Sequence, residues 1–236
     1  MSRFRRLRYL RRLAYRRFSA GGRTARNRRR RSSTAFIAVL QRGGCLPRDV
    51  EEDLLARHAV CKCPLDLWVF QEILVAVRPD IIIETGTGRG GSAVFMACIC
   101  DILQNGQVVT IDVKDRSDRP AHDRVTYLRG SSTAPEIRAE VESIVRQHPH
   151  SPTVMVLLDA AHDAEHALEV LRIYPRLIGP GSYLIVEDTN VNSHPVEPGF
   201  GPGPTEAIET FLSENDAFFV DTDMEKFHLT FNPGGF

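Results

Sequence analysis

The 236-residue chain has no apolar run approaching the ~18 residues of a membrane-spanning helix, so no integral membrane segment is expected. Cysteine is scarce and odd in number: Cys45, Cys61, Cys63, Cys98 and Cys100. That count argues against a disulfide framework and for reduced thiols in a cytoplasmic compartment. Cys61-x-Cys63 lacks the two-residue spacer of a zinc knuckle, and no His or Cys pair follows at finger spacing. The cysteines are therefore expected to act as small buried apolar side chains. No internal repeat is visible. A composition of 42% hydrophobic and 25% charged residues excludes collagen-like, coiled-coil and wholly disordered chains. At roughly 100–200 residues per domain, the length allows one domain with an extension, or at most two small ones.

Acidic residues and lysine are absent from residues 1–31, which hold fourteen Arg. Residues 32–236 then carry sixteen basic against thirty acidic residues, a formal −14. The expected division is a basic arm over 1–34 and a folded domain over 35–236. On a helical wheel Phe4, Leu7, Leu10, Ala14, Tyr15 and Phe18 share one face, into which Arg3 and Arg11 intrude. Three readings of the arm stay open. It is a disordered, solvated stretch or one lying upstream of the true start. It is an amphipathic helix on the inner membrane surface. Or, least favoured, it holds a nucleic acid or another polyanion. Arg recurs too often for a secretory signal, while an Arg-rich, acid-poor transit peptide is not excluded by composition.

The body alternates two periodicities. Residues 35–60 read as a helical or irregular lead-in, and Leu65 to Val77 as a helix ended by Pro79. Strands are expected at Ile81 to Ile83, Val108 to Ile111, Val125 to Leu128, Val154 to Leu158 and Tyr183 to Val186. Helices are expected at Ser92 to Leu103, Pro135 to Gln147, His162 to Leu177 and Thr205 to Leu212. Short β-branched runs separated by helices predict a Rossmann-like α/β fold: a mostly parallel, doubly wound sheet with ligands beyond the strand carboxyl ends. Phe218 to Val220 and Phe227 to Phe231 read as a closing antiparallel hairpin, and the Gly/Pro-rich loop at 194–204 as a lid over an acceptor.

Gly86-x-Gly88-x-x-Gly91 sits between a strand and a helix, as in a dinucleotide fingerprint. Glu84, two residues before it, would repel a pyrophosphate and attract an ammonium such as the methionyl amine of S-adenosylmethionine. Ser92 opens the following helix beside that loop. Asp112 closes the next strand and can accept hydrogen bonds from both ribose hydroxyls; Ser131 and Ser132 close the third and are placed to meet an adenine. Asp159 ends the fourth strand, and Glu187 and Asp188 end the fifth. Adjacent strand ends lie about 5 Å apart, so three carboxylates there need a cation between them, Mg²⁺ before Mn²⁺ or Ca²⁺, unless they cap helices or pair with Arg172 or Arg176. His162 and His166, one and two helical turns beyond Asp159, are candidate proton acceptors.

The segments IIIETGTGRGGSAVFMA, VLLDAAH and GSYLIVEDT resemble the rhamnosyl O-methyltransferase / cephalosporin hydroxylase family, a likeness running from about Pro64 to Phe236. The resemblance implies a class I S-adenosylmethionine-dependent methyltransferase fold and a Mg²⁺ site whose three carboxylates map onto Asp159, Glu187 and Asp188. It also implies a sugar hydroxyl of a glycolipid, or a β-lactam, as acceptor. Ala160 and Ala161 stand where the family usually carries Ser and a polar residue. No haem, flavin or iron-triad signature accompanies the hydroxylase name.

The expected activity is thus Mg²⁺-assisted methyl transfer from S-adenosylmethionine to a hydroxyl of a sugar, glycolipid or related natural product, with His162 and Asp159 as catalytic residues. Two other readings stand beside it: an NAD-dependent oxidoreductase, and a polyanion- or membrane-binding protein on a scaffold that has lost catalysis. The acceptor is a small molecule. A homo-oligomer is compatible with everything above.

Overall fold

The structure, a computed structural model, describes residues 54–55, 58–227 and 229–236. The expected arm, Cys45 and most of the lead-in lie outside the described residues. Two short antiparallel strands, β1 (Leu54–Leu55) and β2 (His58–Ala59), come first. The body then alternates: α1 (Pro64–Val77), β3 (Ile81–Thr85), α2 (Gly91–Leu103), β4 (Gln107–Asp112), β5 (Val125–Arg129), α3 (Pro135–Arg146), β6 (Val154–Leu158), α4 (Ala164–Ile173), β7 (Leu184–Val186) and α5 (Pro204–Glu214). Prolines open α1, α3 and α5, where a missing N–H costs nothing. Arg78, in the left-handed region, closes α1 ahead of Pro79.

Five strands form one parallel sheet in the order β5-β4-β3-β6-β7. The chain winds outward from β3 to β5, then crosses back to β6 and β7. Alternation along each strand feeds two separate cores. Ile81, Ile83, Val109, Ile111, Val154 and Val156 face α3, α4 and α5, against Val141, Leu171 and Phe211. Ile82, Val108, Met155 and Leu157 face α1 and α2, against Phe70, Leu74 and Met96. With both faces covered, the strands are continuous apolar runs rather than alternating ones. Among the described residues no helix is long and apolar enough to cross a membrane.

Three expectations change. The closing hairpin does not form among the described residues. Instead the tail lies along β7 and the loop beyond it, with Val186 N–H donating to Gly235 O, Asn190 N–H to Phe231 O and Asp221 N–H to Phe236 O. Its 218–220 and 227–231 runs are short, and their partners are loops and a carboxylate rather than each other. The helix expected from His162 to Leu177 begins at Ala164, because the Asp163 side chain accepts the His166 N–H and caps it; a short 3₁₀ turn, Pro175–Leu177, replaces its end. The cysteines divide: Cys63 and Cys100 are buried, Cys98 is half-buried and Cys61 is exposed.

Candidate active site

Because all five strands run one way, Thr85, Asp112, Arg129, Leu158 and Val186 end along one edge of the sheet. The order of strands reverses between β3 and β6, which makes the crevice beyond these two strands the place where such sheets take ligands. The two sides of that crevice touch. Asp159 N–H donates to Thr85 O at 2.8 Å. Gly86 has φ +92°, and a Cβ there would lie 1.8 Å from the Asp159 carbonyl oxygen, so only glycine fits. A Cβ on Gly88 would meet nothing within 4 Å, so that turn of the loop faces open space. Gly90 supplies the left-handed N-cap of α2, and Gly91 is its first residue.

Glu84 lies beneath the loop, not at the crevice wall. It is fully buried, and its oxygens accept hydrogen bonds from Ser92 Oγ (2.5 Å) and Thr110 Oγ1 (2.6 Å). Burial pushes its carboxyl up to about 7, against the opposing pull of Lys62 and the two hydroxyls. Asp112 is at the edge, where its carboxylate accepts Gly88 N–H (2.9 Å) and Lys114 N–H (2.8 Å) and pairs with the Arg119 guanidinium at 3.0 Å. Arg119 Nε also donates to Gly88 O, so this arginine ties the loop to the acid. Ser131 Oγ meets Thr133 Oγ1 at 3.1 Å, and Ser132 Oγ lies 3.3 Å from His166 Nε2.

On the other side, Asp159, His162 and Asp188 present ligand atoms all within 4.8 Å of one another, with His162 Nε2 3.4 Å from Asp188 Oδ2. Glu187 stands apart from this cluster. Its carboxylate and that of Asp159 both face Lys62, whose Nζ donates to Asp159 Oδ2 and lies 2.7 Å from Glu187 Oε1. Arg172 and Arg176 play no part; they pair with Glu214 and Glu142. Burial alone would lower the Lys62 ammonium, but Asp159, Glu187 and Glu84 outweigh it and hold it protonated. Burial raises both carboxyls, Glu187 strongly, against the pull of Lys62. Lys62 faces Asp159 and Glu187, and Asp188 adds a further carboxylate beside them. The two oxygen donors and one nitrogen of Asp159, Asp188 and His162 suit a divalent ion.

His162 and His166 do not share a helical face. His162 sits in the loop before α4 and turns to Asp188, while His166 in the first turn of α4 turns to Ser132. A small cleft lined by Thr85, Ala160, Ala161, His162, His166 and Pro204 separates them. The two alanines leave its wall apolar. Glu206 pins the loop at its rim, accepting from Asn192 Nδ2 (2.8 Å), His194 Nε2 (3.0 Å) and Gly203 N–H (2.7 Å). Asn232 Oδ1 accepts the Asp188 N–H at 2.9 Å, so the tail helps to place that acid.

Lys62, Arg119, Thr110 and Asn232 escaped sequence reasoning. Only Lys62 left a signal: the chain has three lysines against twenty-seven arginines, and this one lies between two cysteines at the start of a helix.

Residues 52–236 match the family described as Rhamnosyl O-methyltransferase/CmcI. A rhamnosyl O-methyltransferase of Mycobacterium tuberculosis (strain ATCC 25618 / H37Rv) is 40% identical over 178 residues, covering 72% of this chain and 71% of that protein. A rhamnosyl O-methyltransferase of Mycobacterium leprae (strain TN) is 35% identical over 176 residues, covering 72% and 76%. Among solved structures, the apo form of CmcI-N160 superposes with a TM-score of 0.52 at 23% identity over 73% of each chain. CmcI-D160 with Mg and SAM gives 0.50 at 21% identity over 73% of this chain and 74% of that one. These two share the fold. By family model and by sequence identity, the chain belongs to the rhamnosyl O-methyltransferase/CmcI family and is an O-methyltransferase.

Proposed function

We propose that this protein moves the methyl group of S-adenosylmethionine to a hydroxyl of a sugar, glycolipid or related natural product, with Mg²⁺ held by Asp159 and Asp188 beside His162. The observation that carries the reading is that the glycine loop and the Asp159, His162, Asp188 cluster meet at the β3/β6 crevice, locked together at Gly86. Mycobacterial relatives named rhamnosyl O-methyltransferases make a rhamnosyl hydroxyl the first acceptor to try.

The roles divide by position. The loop Gly86 to Gly91 and the Ser92 end of α2 receive the methionyl part, with Glu84 buried beneath them and bonded to Ser92 and Thr110. Asp112 takes the ribose hydroxyls in exchange for Arg119, and Ser131 and Ser132 flank the adenine. When bound, a divalent ion polarises the acceptor hydroxyl and lowers its pKa. As the acceptor oxygen bonds to the methyl carbon and the S–CH₃ bond breaks, the hydroxyl proton passes to the His162 imidazole, whose Nε2 faces Asp188 and whose other ring nitrogen accepts it. Lys62 keeps Asp159 and Glu187 in place without entering the exchange.

The test is transfer of labelled methyl from S-adenosylmethionine to a rhamnosylated glycolipid as Mg²⁺ is raised from zero. Transfer is expected to require Mg²⁺, and Asp188→Ala is expected to lower it on the order of 100-fold. Calorimetric heat from NAD⁺ but none from S-adenosylmethionine would overturn the proposal.

A further inference from the structure

At the opposite edge of the sheet a second group of donors converges. Asp80 immediately precedes β3, and His148 and His150 lie in the loop that leads from α3 into β6. Their ligand atoms all lie within 4.8 Å of one another. β3 and β6 are the two central, paired strands, with Ile81 opposite Val154. The entry points are already laced: Asp80 N–H and Ile81 N–H donate to Thr153 O at 2.8 and 3.2 Å, and Thr153 N–H donates to Asp80 Oδ2 at 2.8 Å. This fixes the Asp80 carboxylate and leaves its second oxygen available.

The loop sequence is His148-Pro149-His150-Ser151-Pro152, and two prolines in five residues narrow its conformations. His148 Nδ1 lies 3.1 Å from His150 O. A carbonyl only accepts, so Nδ1 carries the proton and Nε2 keeps its lone pair. That tautomer, with one ring nitrogen donating to a backbone carbonyl, is the one metal-ligating histidines adopt. The two rings stand edge to face, centroids 4.7 Å apart at 85°. His148 follows the C-terminal end of α3, the negative end of its helix dipole, which favours a cation.

We infer that Asp80, His148 and His150 form a second metal site, selective for a borderline divalent ion, with Zn²⁺ as its representative. Two imidazole nitrogens and one carboxylate oxygen are a donor set for Zn²⁺ rather than Mg²⁺. Zinc bonds of ~2.0–2.2 Å call for donors closer than 4.8 Å, and the exposed His150 side chain is free to swing the remaining distance. Three protein ligands leave a fourth position to water. The ion clips together the two segments that enter the central strands, a sheet's length away from the crevice. Its role is to hold those entry points, and methyl transfer does not depend on it.

The test is calorimetric titration of the full chain with Zn²⁺ at neutral pH, with Mg²⁺ and S-adenosylmethionine saturating, alongside thermal melts. Wild type and His162→Ala are expected to bind one equivalent of Zn²⁺ with a rise in Tm. His150→Ala is expected to weaken that binding by about tenfold or more and to abolish the rise. His150 is exposed, so its loss removes little beyond the ring contact with His148, and a melt without Zn²⁺ confirms the fold. Equal Zn²⁺ affinity in wild type and His150→Ala, or binding that vanishes in His162→Ala, would overturn the inference.

Discussion

Buried Glu84 and the pair of half-buried Asp159 and buried Glu187 are carboxylates a few residues from the same crevice, and they are accommodated by opposite means. Glu84 takes two hydroxyls, Ser92 and Thr110, from elements that already flank its strand. Asp159 and Glu187, on adjacent strand ends, share an ammonium brought from outside the α/β body by the lead-in to α1. A single acid bonded to neutral donors, with the Lys62 charge acting on it without a direct contact, holds its proton to about pH 7. Two acids side by side repel each other too strongly for hydroxyls to suffice, and a full positive charge is required. Lys62, just before α1, is therefore part of the candidate site.

The contrast breaks most visibly at Lys62. Lys62→Met leaves buried Glu187 and half-buried Asp159 without their cation and is expected to cost about 3–5 kcal/mol in urea denaturation with chelator present, with Glu187→Leu in the same chain recovering part of it. A cost under ~1 kcal/mol would show that the pair does not need the ammonium.

A smaller effect tests the protonation of Glu84. Its folded value near 7 lies above the ordinary 4.5, so the folded chain keeps a proton that the unfolded chain gives up. Stability from this group is complete below pH ~4.5 and falls as pH rises to ~7, then levels. The difference between wild type and Glu84→Gln in denaturation midpoints across pH 4–8 is expected to trace that fall; a flat difference would rule it out.

The smallest effect is that of a single hydroxyl. Thr110→Val keeps shape and removes one donor from Glu84, and is expected to cost about 1–3 kcal/mol in the same denaturation assay at neutral pH.

Much of this was legible from residue order. The run Ile81-Ile82-Ile83 marks a strand covered on both faces, and the glycines and acids that follow each strand fall where a parallel sheet gathers them. What stayed hidden depends on contacts between distant residues. Lys62 meets Asp159 across 97 positions, and its cysteine neighbours draw attention to sulfur rather than charge. Glu84 reads as a crevice acid until the register opposite Thr110 shows its side chain facing α2. His162 and His166 look like one helical stripe until Asp163 starts the helix between them. The tail has the β-branched and aromatic residues of a strand, yet Asp66 in α1 takes the Phe231 N–H that a hairpin would use.

The contact between Gly86 and the Asp159 backbone leaves no gap for a hinge. The floor of the crevice is thus continuous, and the spacing between the glycine loop and the Asp159 end of β6 is set during folding.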